Sequence, residues 1–248
     1  MSDQRAIAVV FAGGIGSRMR SAEQPKQFLP VGGKPVLAHT LEHFQSHPEV
    51  DAVYVSCIRA YIDEAWSLVH VWGLDKVRRI VPGGASAQES IYNALRGAAD
   101  DHFPDDTVVL VHEGVRPLIH QDLISRNIAT ARKHGNAITA IPCFETIARS
   151  VDAAATIERV TQRDEMHVLQ APQTFALGAA CRANERSLEE GLLGTFVDQA
   201  QLMRHYGEQL HMVLGFRGNV KLTTDLDLLQ FQLLVASGQL ECVIGKEV

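Results

Sequence analysis

The sequence lacks the long apolar run that a membrane-spanning helix requires. Such a helix needs roughly 18 consecutive apolar residues, and no stretch of this chain approaches that length. Its first residues, Met1–Asp3, lead directly into a short apolar strand, without the basic and apolar regions of a signal peptide. We therefore expect no membrane segment and predict a cytoplasmic protein.

Cysteines are few, and acidic residues outnumber basic ones. The four cysteines are far apart, and none belongs to a C-x-x-C pair: Cys57, Cys143, Cys181 and Cys242. We expect free thiols and no structural zinc site. The net charge of −6 argues against a nonspecific grip on nucleic acid or an acidic membrane. A phosphate-bearing substrate would therefore need a local cluster of basic residues.

Short apolar runs alternate with stretches of helical period, which is typical of a parallel α/β sheet. The predicted strands are Ala6–Ala12, Ala52–Ile58, Arg79–Val81, Thr107–His112 and Ala137–Cys143. The predicted helices are Pro35–Ser46, Tyr61–Val71, Ala87–Ala99 and Gln121–His134. This pattern predicts one α/β domain over residues 1–248, with a three-layer, Rossmann-like fold around a mostly parallel sheet.

The alternation is interrupted after Cys143. Two short runs, Glu145–Val151 and Thr156–Val160, predict a β-hairpin, and we expect residues 144–162, approximately, to form an inserted arm. The remaining predicted elements are a strand near Gln173–Phe175, a helix to about Glu190, a short helix after Asp198, strands at His211–Leu214 and Val220–Thr223, and a last helix from Asp225 with Thr224 as its N-cap.

A glycine-rich loop follows the first strand, with the sequence Ala12-Gly13-Gly14-Ile15-Gly16-Ser17-Arg18-Met19, and Pro25-Lys26-Gln27-Phe28 comes shortly after. Glycines let backbone N–H groups approach a phosphate chain closely, and Arg18 and Lys26 can neutralise its charge. A dinucleotide fingerprint would need glycine at position 19, and a Walker loop ending at Lys34 would need glycine at position 28. The alternative is a plain strand-to-helix turn with solvated basic residues.

Two other segments fall on the same predicted rim, at residues 112–117 and 142–146. Ligands of open parallel sheets bind beyond the carboxyl ends of the strands. Because three chemically active segments converge there, we predict that this rim carries the functional site.

These motifs resemble the 2-C-methyl-D-erythritol 4-phosphate cytidylyltransferases and their relatives, the ribitol 5-phosphate cytidylyltransferases of teichoic-acid synthesis. The resemblance spans nearly the whole chain. It comprises the first loop, Gly33–Leu37, Gly83-Gly84 with Ser90, Val111–Pro117, Thr146, Arg163, Pro172–Phe175 and Asn219–Thr223. Each segment is weak alone, but their shared order and spacing are specific.

The resemblance implies a role for each matched residue. Arg18, Lys26 and Lys221 are the implied catalytic residues. The implied nucleotide-binding residues are Ala12, Gly13, Gly14, Gly16, Gly83, Gly84, Ser90 and Glu113. Of these, Glu113 is also implied to face the polyol phosphate. The implied acceptor-binding residues are Arg116, Thr146, Arg163 and Asp198. The family also implies Mg²⁺ carried mainly by the nucleotide, CTP and a small polyol phosphate as substrates, and a homodimer whose arm reaches the neighbour's site.

Four positions depart from the family pattern. Glu113 replaces the usual aspartate, Ala87 a frequent arginine, Ala171 a threonine, and Val197 the threonine of a Thr-Asp pair. The change at Ala87 puts details of the CTP site in doubt, and the other three fall where the acceptor is expected. The sequence Val115-Arg116-Pro117 is similar to that of the ribitol relatives and favours ribitol 5-phosphate as the acceptor, with 2-C-methyl-D-erythritol 4-phosphate as the alternative.

Other interpretations remain for several residues. Lys221 could be the exposed side of a strand, Arg163 a surface ion pair, and Arg116 a plain loop residue. His112-Glu113 does not complete a zinc-protease motif, because position 116 is arginine. The histidines His39, His43 and His47 recur every four residues, about 120° from the apolar stripe of their helix, and we expect them to form a solvated face rather than a metal site.

Two other function classes share some of these features. A sugar-1-phosphate nucleotidyltransferase has a similar first loop but would prefer UTP or dTTP and a hexose 1-phosphate. A nucleotide-binding module without turnover is the non-enzymatic alternative, which Ala87 and Ala171 favour and Arg18, Lys26 and Lys221 oppose. The cytidylyltransferase interpretation accounts for most of the motifs.

Overall fold

The computed structural model describes residues 4–14, 24–151 and 156–240, and a seven-stranded sheet forms its centre. The strands of the described residues are β1 Ala6–Ala12, β2 Pro30–Val31, β3 Lys34–Pro35, β4 Ala52–Cys57, β5 Val77–Pro82, β6 Val108–Glu113, β7 Asn136–Pro142, β8 Ala148–Ser150, β9 Ile157–Val160, β10 His167–Ala176 and β11 Met212–Leu214. The helices are α1 Val36–Ser46, α2 Ile62–Val71, α3 Ala87–Asp100, α4 Gln121–His134, α5 Leu177–Glu189, α6 Gln199–His205 and α7 Asp225–Ser237. Within these ranges, no helix is both long and apolar enough to cross a bilayer.

The strand order of the central sheet is β11-β7-β10-β6-β1-β4-β5. β10 runs antiparallel to both of its neighbours, whereas the other strand pairs are parallel. The predicted α/β fold with a mostly parallel sheet is confirmed. Because β1, β4, β5 and β6 point the same way, the segments that follow them meet at one rim.

Two apolar cores on opposite faces of the sheet produce the three layers. Alternate residues of a strand point to opposite faces, so Ala8 and Val10 of β1 pack with helices α1, α2 and α4. Ile7 and Val9 pack on the other face with α3, α5 and α6. β1 is thus buried on both sides, as its unbroken apolar sequence predicts.

The predicted strand Val220–Thr223 is wrong, because these residues form an irregular loop. Its backbone groups bond elsewhere: the Leu222 N–H donates to the Val115 carbonyl over 2.8 Å. The Thr223 N–H donates to the Asp227 carboxylate over 2.8 Å. Helix α7 begins at Asp225 with Thr224 as its N-cap, as predicted, and Thr224 and Asp227 form a capping box.

The expectation of a solvated histidine face on α1 is also wrong. His39 and His43 are partly buried, and His47 is fully buried. Their Nε2 atoms lie 2.9 Å from the Val31 carbonyl, the Pro117 carbonyl and the Ser125 hydroxyl respectively. The face does point away from the main apolar stripe, but neighbouring loops and α4 cover it.

The predicted hairpin is present as the antiparallel pair β8 and β9, while its turn, residues 152–155, lies outside the described residues. The hairpin forms a sheet of its own, and every described residue from Phe144 to Val151 and from Thr156 to Val160 is exposed. Its apolar side chains Ile147, Val151, Ile157 and Val160 are therefore uncovered in the single chain.

Candidate active site

A cleft of about 510 Å³ opens at the rim where β1 and β6 end and α3 begins. Eight of the predicted site residues line this main cleft: Ala12, Gly13, Gly14, Lys26, Gly84, Ser90, Glu113 and Lys221. The structure thus brings together segments that are more than 200 residues apart in the chain. Gly16 and Arg18 were also predicted here, and they lie outside the described residues.

Close packing of backbone builds one side of the main cleft. A Cβ atom added to Gly13 would lie 2.6 Å from the Ser90 Oγ, and one added to Gly83 would lie 3.1 Å from the Gly13 Cα. These short distances favour glycine where the ends of β1 and β5 approach each other. The Ser90 hydroxyl accepts from the Gly84 N–H over 3.0 Å and donates to the Ser86 carbonyl over 2.9 Å. The Ser90 hydroxyl therefore holds the Gly83-Gly84 segment against the start of α3.

Gln27 holds the start of the first loop, at Ala12 and Gly14, and no role was predicted for it from the sequence. Its side chain is almost fully buried, and its Nε2 donates to the carbonyls of Ala12 over 2.7 Å and Gly14 over 3.3 Å. The adjacent Lys26 begins a short 3₁₀ turn, Lys26–Phe28, and lines the cleft. The only sequence signal for Gln27 was its place next to Lys26.

Lys26 also lies close to the start of α7. Burial alone would raise the pKa of the Asp227 carboxyl, but hydrogen bonds from the Thr223 and Thr224 backbone and from the Thr224 hydroxyl, together with the charge of Lys26, lower it. Asp227 therefore stays ionised near neutral pH. This carboxylate belongs to the α7 cap, and its charge interacts with that of Lys26, which lines the main cleft.

An ion network, buried at Glu113 and Arg116 and partly exposed at Lys221, forms the far wall of the main cleft. The Glu113 carboxylate contacts the Arg116 guanidinium at 2.6 Å and the Lys221 ammonium at 2.5 Å. Burial alone would raise the pKa of Glu113, but the charges and hydrogen bonds of Arg116 and Lys221 lower it to about 2. Arg116 also donates to the Asn219 carbonyl. Arg116 thus lies behind the cleft wall and positions both Glu113 and the loop that carries Lys221.

His112 lies fully buried behind this network. Its Nε2 is 3.0 Å from the Arg116 carbonyl, and its ring packs edge-on against Phe44 with centroids 5.2 Å apart. Burial is the main reason that its pKa falls to about 3. The imidazole is therefore neutral at physiological pH, and its Nε2 carries the proton that the Arg116 carbonyl accepts.

A smaller cavity of about 70 Å³ opens beside the main cleft, and we name it the side compartment. The two cavities share Phe11, Ala87, Glu113 and Lys221. The side compartment contains all four positions that depart from the family pattern: Ala87, Glu113, Ala171 and Val197. Asp198 also lines it, and its carboxylate accepts from Gln173 over 2.8 Å and from the Gln201 backbone at the start of α6 over 2.8 Å.

Two predicted residues lie apart from both cavities. Thr146 and Arg163 are exposed at the base of the hairpin and line neither the main cleft nor the side compartment. The nearest acidic partner of Arg163 is the adjacent Asp164, at 4.0 Å. Within this one chain they are not brought to Lys26 or Lys221.

The described residues, taken together, contain no group of three or more histidine, cysteine or acidic side chains that could hold a metal ion. The carboxylate in the main cleft, that of Glu113, already contacts two cationic side chains. These side chains do not form a metal cage.

Comparisons with known proteins find similar sequences and a similar fold. The model of the IspD family, described as 2-C-methyl-D-erythritol 4-phosphate cytidylyltransferase, matches residues 6–237. A ribitol-5-phosphate cytidylyltransferase from Vibrio parahaemolyticus is 37% identical over 229 residues, which cover 92% of this chain and 95% of that protein. A 2-C-methyl-D-erythritol 4-phosphate cytidylyltransferase from Geotalea uraniireducens is 40% identical over 226 residues, with 91% and 94% covered. The crystal structure of the Francisella tularensis IspD protein superposes with a TM-score of 0.77 at 25% identity, covering 92% of this chain and 100% of that one.

Proposed function

This chain belongs to the IspD family of cytidylyltransferases, and we propose that it transfers CMP from CTP to ribitol 5-phosphate. The observation that carries the proposal is the main cleft, where the glycine loop, Lys26 and Lys221 line one space. An enzyme that joins two phosphate-bearing substrates needs cationic groups of this kind around a single reaction centre.

In the proposed reaction an oxygen of the acceptor phosphate attacks the α-phosphorus of CTP. A new P–O bond forms, and the bond to the β-phosphate oxygen breaks, which releases pyrophosphate on the opposite side. The reaction needs no side-chain nucleophile, and a phosphate monoester is already largely ionised near neutral pH. Catalysis by this chain then consists of positioning and charge neutralisation.

Each basic residue has a distinct task in this mechanism. Backbone N–H groups of the first loop hold the triphosphate, and Lys26 and Arg18 neutralise charge that develops around the α-phosphorus. Lys221 holds the incoming acceptor phosphate. Glu113 remains ionised and accepts from Lys221 over 2.5 Å, so it orients the ammonium group rather than removing a proton from the acceptor.

We propose Mg²⁺ as the cofactor, bound to the CTP phosphates rather than to a cage of side chains. When bound, it supplies further neutralisation of the triphosphate. The proposed setting is the cytoplasm, where CTP is made. The three cysteines that the structure describes, Cys57, Cys143 and Cys181, have free thiols, which suits a reducing compartment.

The proposed assembly is a twofold homodimer with shared active sites. An isolated two-stranded hairpin is marginally stable in water, and this one exposes four large apolar side chains: Ile147, Val151, Ile157 and Val160. A partner surface would cover them. The hairpin would then deliver Thr146 and Arg163, which lie apart from the cleft of their own chain, to the acceptor phosphate in the neighbour's cleft.

The acceptor is chosen from two candidates of the same family. Ribitol 5-phosphate is supported by Val115-Arg116-Pro117 and by the Vibrio relative named for that substrate. 2-C-methyl-D-erythritol 4-phosphate is the second candidate, supported by the Geotalea relative, which is 40% identical. The departures at Ala171 and Val197 line the side compartment, so they bear on this choice and not on the reaction type.

Pyrophosphate release tests the proposal directly. CTP, UTP, ATP and GTP are each paired with ribitol 5-phosphate, 2-C-methyl-D-erythritol 4-phosphate and a hexose 1-phosphate. We expect CTP to exceed ATP and GTP by at least tenfold in kcat/KM, about 1.4 kcal/mol, and ribitol 5-phosphate to be the best acceptor. Comparable turnover with ATP, or a preference for UTP and hexose 1-phosphate, would overturn the assignment.

A further inference from the structure

Lys221 lies on the loop of residues 215–224, which joins β11 to α7 and contains neither helix nor strand. Its side chain is 39% exposed, and its ammonium group contacts the Glu113 carboxylate. A lysine side chain is a flexible four-carbon stem, so this ion pair places the ammonium group only if the backbone that carries it is also held. The contacts of the loop with the rest of the molecule therefore decide where Lys221 lies.

One buried side chain, that of Gln170 on β10, bonds to both ends of a turn in this loop. Phe216 and Asn219 are the first and last residues of the turn, which the Asn219 N–H closes by donating to the Phe216 carbonyl over 3.1 Å. The Gln170 Nε2 donates to the Phe216 carbonyl over 3.1 Å and to the Asn219 carbonyl over 3.2 Å. Both N–H groups of the amide are thus used, and Gln170 is 7% exposed.

The side chain of Asn219 completes the connection to β10. It is fully buried, and its Nδ2 donates to the Ala171 carbonyl over 2.7 Å and to the Gln170 Oε1 over 3.4 Å. The pairing of β10 with β7 shifts register between Leu169 and Gln173, and such an irregularity frees backbone groups from the ladder. The irregular part of β10 is therefore where the loop of Lys221 is attached.

Gly215, the first residue of the loop, packs directly on the Gln170 amide. A Cβ atom added to Gly215 would clash with the Gln170 Oε1 and would lie 2.8 Å from the Thr139 Cγ2. The Gly215 N–H donates to the Ala140 carbonyl over 2.9 Å, so its backbone is tied to β7. Glycine at this position leaves room for the amide.

Lys221 is close in the chain to the residues that are held. Val220 alone separates it from Asn219, and two residues of chain span at most about 7 Å. On its other side, the Leu222 N–H donates to the Val115 carbonyl over 2.8 Å. A displacement of Asn219 is therefore transmitted to Lys221 rather than absorbed by a long flexible segment.

We propose that Gln170 is a positioning residue for Lys221. Its amide bonds fix the turn, and the turn places the lysine ammonium where the acceptor phosphate is to be bound. In a site that works by positioning charge, a displacement of about 1 Å can lower the rate roughly a hundredfold. This inference rests on the proposed function, in which Lys221 holds the acceptor phosphate, and it names the residue that acts through Lys221.

Replacement of Gln170 by methionine removes the amide and keeps the length of the side chain. We expect kcat/KM for ribitol 5-phosphate to fall about tenfold or more, while the KM for CTP changes less than about twofold. The urea denaturation midpoint should also fall, because the Phe216 and Asn219 groups lose buried partners. Activity is therefore measured at a temperature at which circular dichroism shows the variant to be folded.

The same replacement in a Lys221→Ala background separates positioning from general stability. If Gln170 acts through Lys221, its loss should lower kcat/KM less than about twofold once the ammonium group is gone, because residues that act as a unit are not additive. Gly215→Ala displaces the amide without removing it and should show the same dependence on Lys221. Equal losses from Gln170→Met in both backgrounds would overturn the inference.

Asn136→Leu is the matched control. Asn136 is also a buried amide that holds a loop: its Nδ2 donates to the Gln209 carbonyl over 2.8 Å, and its Oδ1 accepts from the His211 N–H over 2.9 Å. These contacts hold the residues that lead into β11, and Asn136 lines neither cavity. Its replacement should lower the denaturation midpoint and leave kcat and both KM values unchanged. A loss of acceptor activity like that of Gln170→Met would attribute both losses to stability and contradict the inference.

The outcomes distinguish this inference from the proposed function. If the wild type transfers CMP to a polyol phosphate and Gln170→Met acts equally in both backgrounds, this inference alone fails. If Lys221→Ala is as active as the wild type, the proposed task of Lys221 fails together with this inference. If the wild type releases no pyrophosphate from CTP with any polyol phosphate, the proposed function itself fails.

Discussion

The part of the site that we propose binds the nucleotide and the part that we propose binds the acceptor differ in how far one chain completes them. We call them the nucleotide side and the acceptor side. On the nucleotide side, Gly13, Gly83 and Ser90 pack in direct contact, and Gln27 ties the first loop to its strand. On the acceptor side, Thr146 and Arg163 lie out on the exposed hairpin.

This difference separates the reaction from its specificity. Among the described residues, the glycine backbone that would bind the triphosphate is held by close packing with Ser90 and by the hydrogen bonds of Gln27, which leave it little freedom to move. The residues proposed to bind the acceptor phosphate, Thr146 and Arg163, do not contact the cleft of their own chain. They would reach a cleft only in the proposed dimer. Relatives with one reaction and different acceptors are therefore expected to differ mainly in the side compartment, where all four departures from the family pattern lie.

Removal of the Lys26 charge should have the largest effect on kcat/KM, because Lys26 belongs to the nucleotide side, which one chain completes. Charge-assisted hydrogen bonds contribute about 1.5–3 kcal/mol, and more where charge develops in the transition state. Lys26→Ala should lower kcat/KM roughly a hundredfold or more. Its melting temperature should change by no more than about 3 °C.

Lys34→Ala serves as the control for Lys26. Lys34 pairs with Glu42 at 2.6 Å and does not line the main cleft, so kcat/KM should remain close to that of the wild type. Near-normal activity of Lys26→Ala would mean that the first loop has only a structural role.

Adjacent glycines test the tight packing of the nucleotide side. A methyl group on Gly13 would lie 2.6 Å from the Ser90 Oγ, whereas one on Gly14 would have no atom of residues 4–14, 24–151 or 156–240 within 4 Å. Gly13→Ala should cost about 1–3 kcal/mol of unfolding free energy through overpacking, and Gly14→Ala should stay within about 0.5 kcal/mol of the wild type. Urea denaturation of both variants decides; equal stabilities would contradict the close-packed arrangement.

The sequence predicted the body of the fold well, because burial imposes clear periodicity there. β1 and α4 have the predicted bounds, Ala6–Ala12 and Gln121–His134. Local pattern failed where distant residues decide the outcome. Residues 220–223 alternate like a strand, but the α7 cap and Val115 take their hydrogen bonds. The histidines of α1 are covered by partners such as Pro117, which lies 74 residues from His43.

The site was predictable in part for the same reason. Glycines and basic residues carry a chemical signal at fixed spacing, so the lining of the main cleft could be anticipated. Arg116 was expected at the acceptor, but its long side chain turns to Glu113 and Asn219 behind the wall. Nothing in the sequence distinguishes Gln170, which bonds to the loop of Lys221, from Gln173, which bonds to Asp198, since these partners depend on the surrounding tertiary structure.

His112, behind the wall shared by both sides, should have a smaller effect, which appears as a pH dependence of the unfolding free energy. Its folded-state pKa, about 3, lies below the value of 6.5 for an exposed histidine. The unfolded chain therefore binds a proton that the folded chain does not, and stability is lost as pH falls below 6.5. Between pH 7.5 and 5.5 this one group should remove about 1.4 kcal/mol.

Comparison with His112→Gln isolates that contribution. The amide can keep the hydrogen bond to the Arg116 carbonyl but does not titrate. Glu113, with a pKa of about 2, contributes stability that is lost only as pH falls below its unfolded value of 4.5, outside this window. Urea denaturation at both pH values should show a pH-dependent loss smaller in the variant by about 1.4 kcal/mol. An identical loss in both proteins would mean that His112 does not remain neutral in the fold.

Subunit mixing tests whether a second chain completes the acceptor side. Lys26→Ala and Arg163→Ala chains are unfolded together and refolded in equal amounts. In the proposed twofold dimer, each site takes Lys26 from one chain and Arg163 from the other. Statistical pairing makes half of the dimers mixed, and each mixed dimer has one intact site and one site without either residue. Recovery of about a quarter of wild-type activity is therefore expected.

In the alternative arrangement, Arg163 serves the cleft of its own chain, and the expected recovery of activity is different. No site in a mixed dimer would then contain both residues, and activity would stay at the level of the separate variants. Native mass spectrometry must confirm the heterodimers, so that failed assembly is not mistaken for failed complementation. Arg149→Ala is a suitable control partner for Lys26→Ala, because Arg149 pairs with Glu158 within the hairpin at 3.1 Å. That mixture should reach about half of wild-type activity, since every dimer site with an intact Lys26 would remain complete.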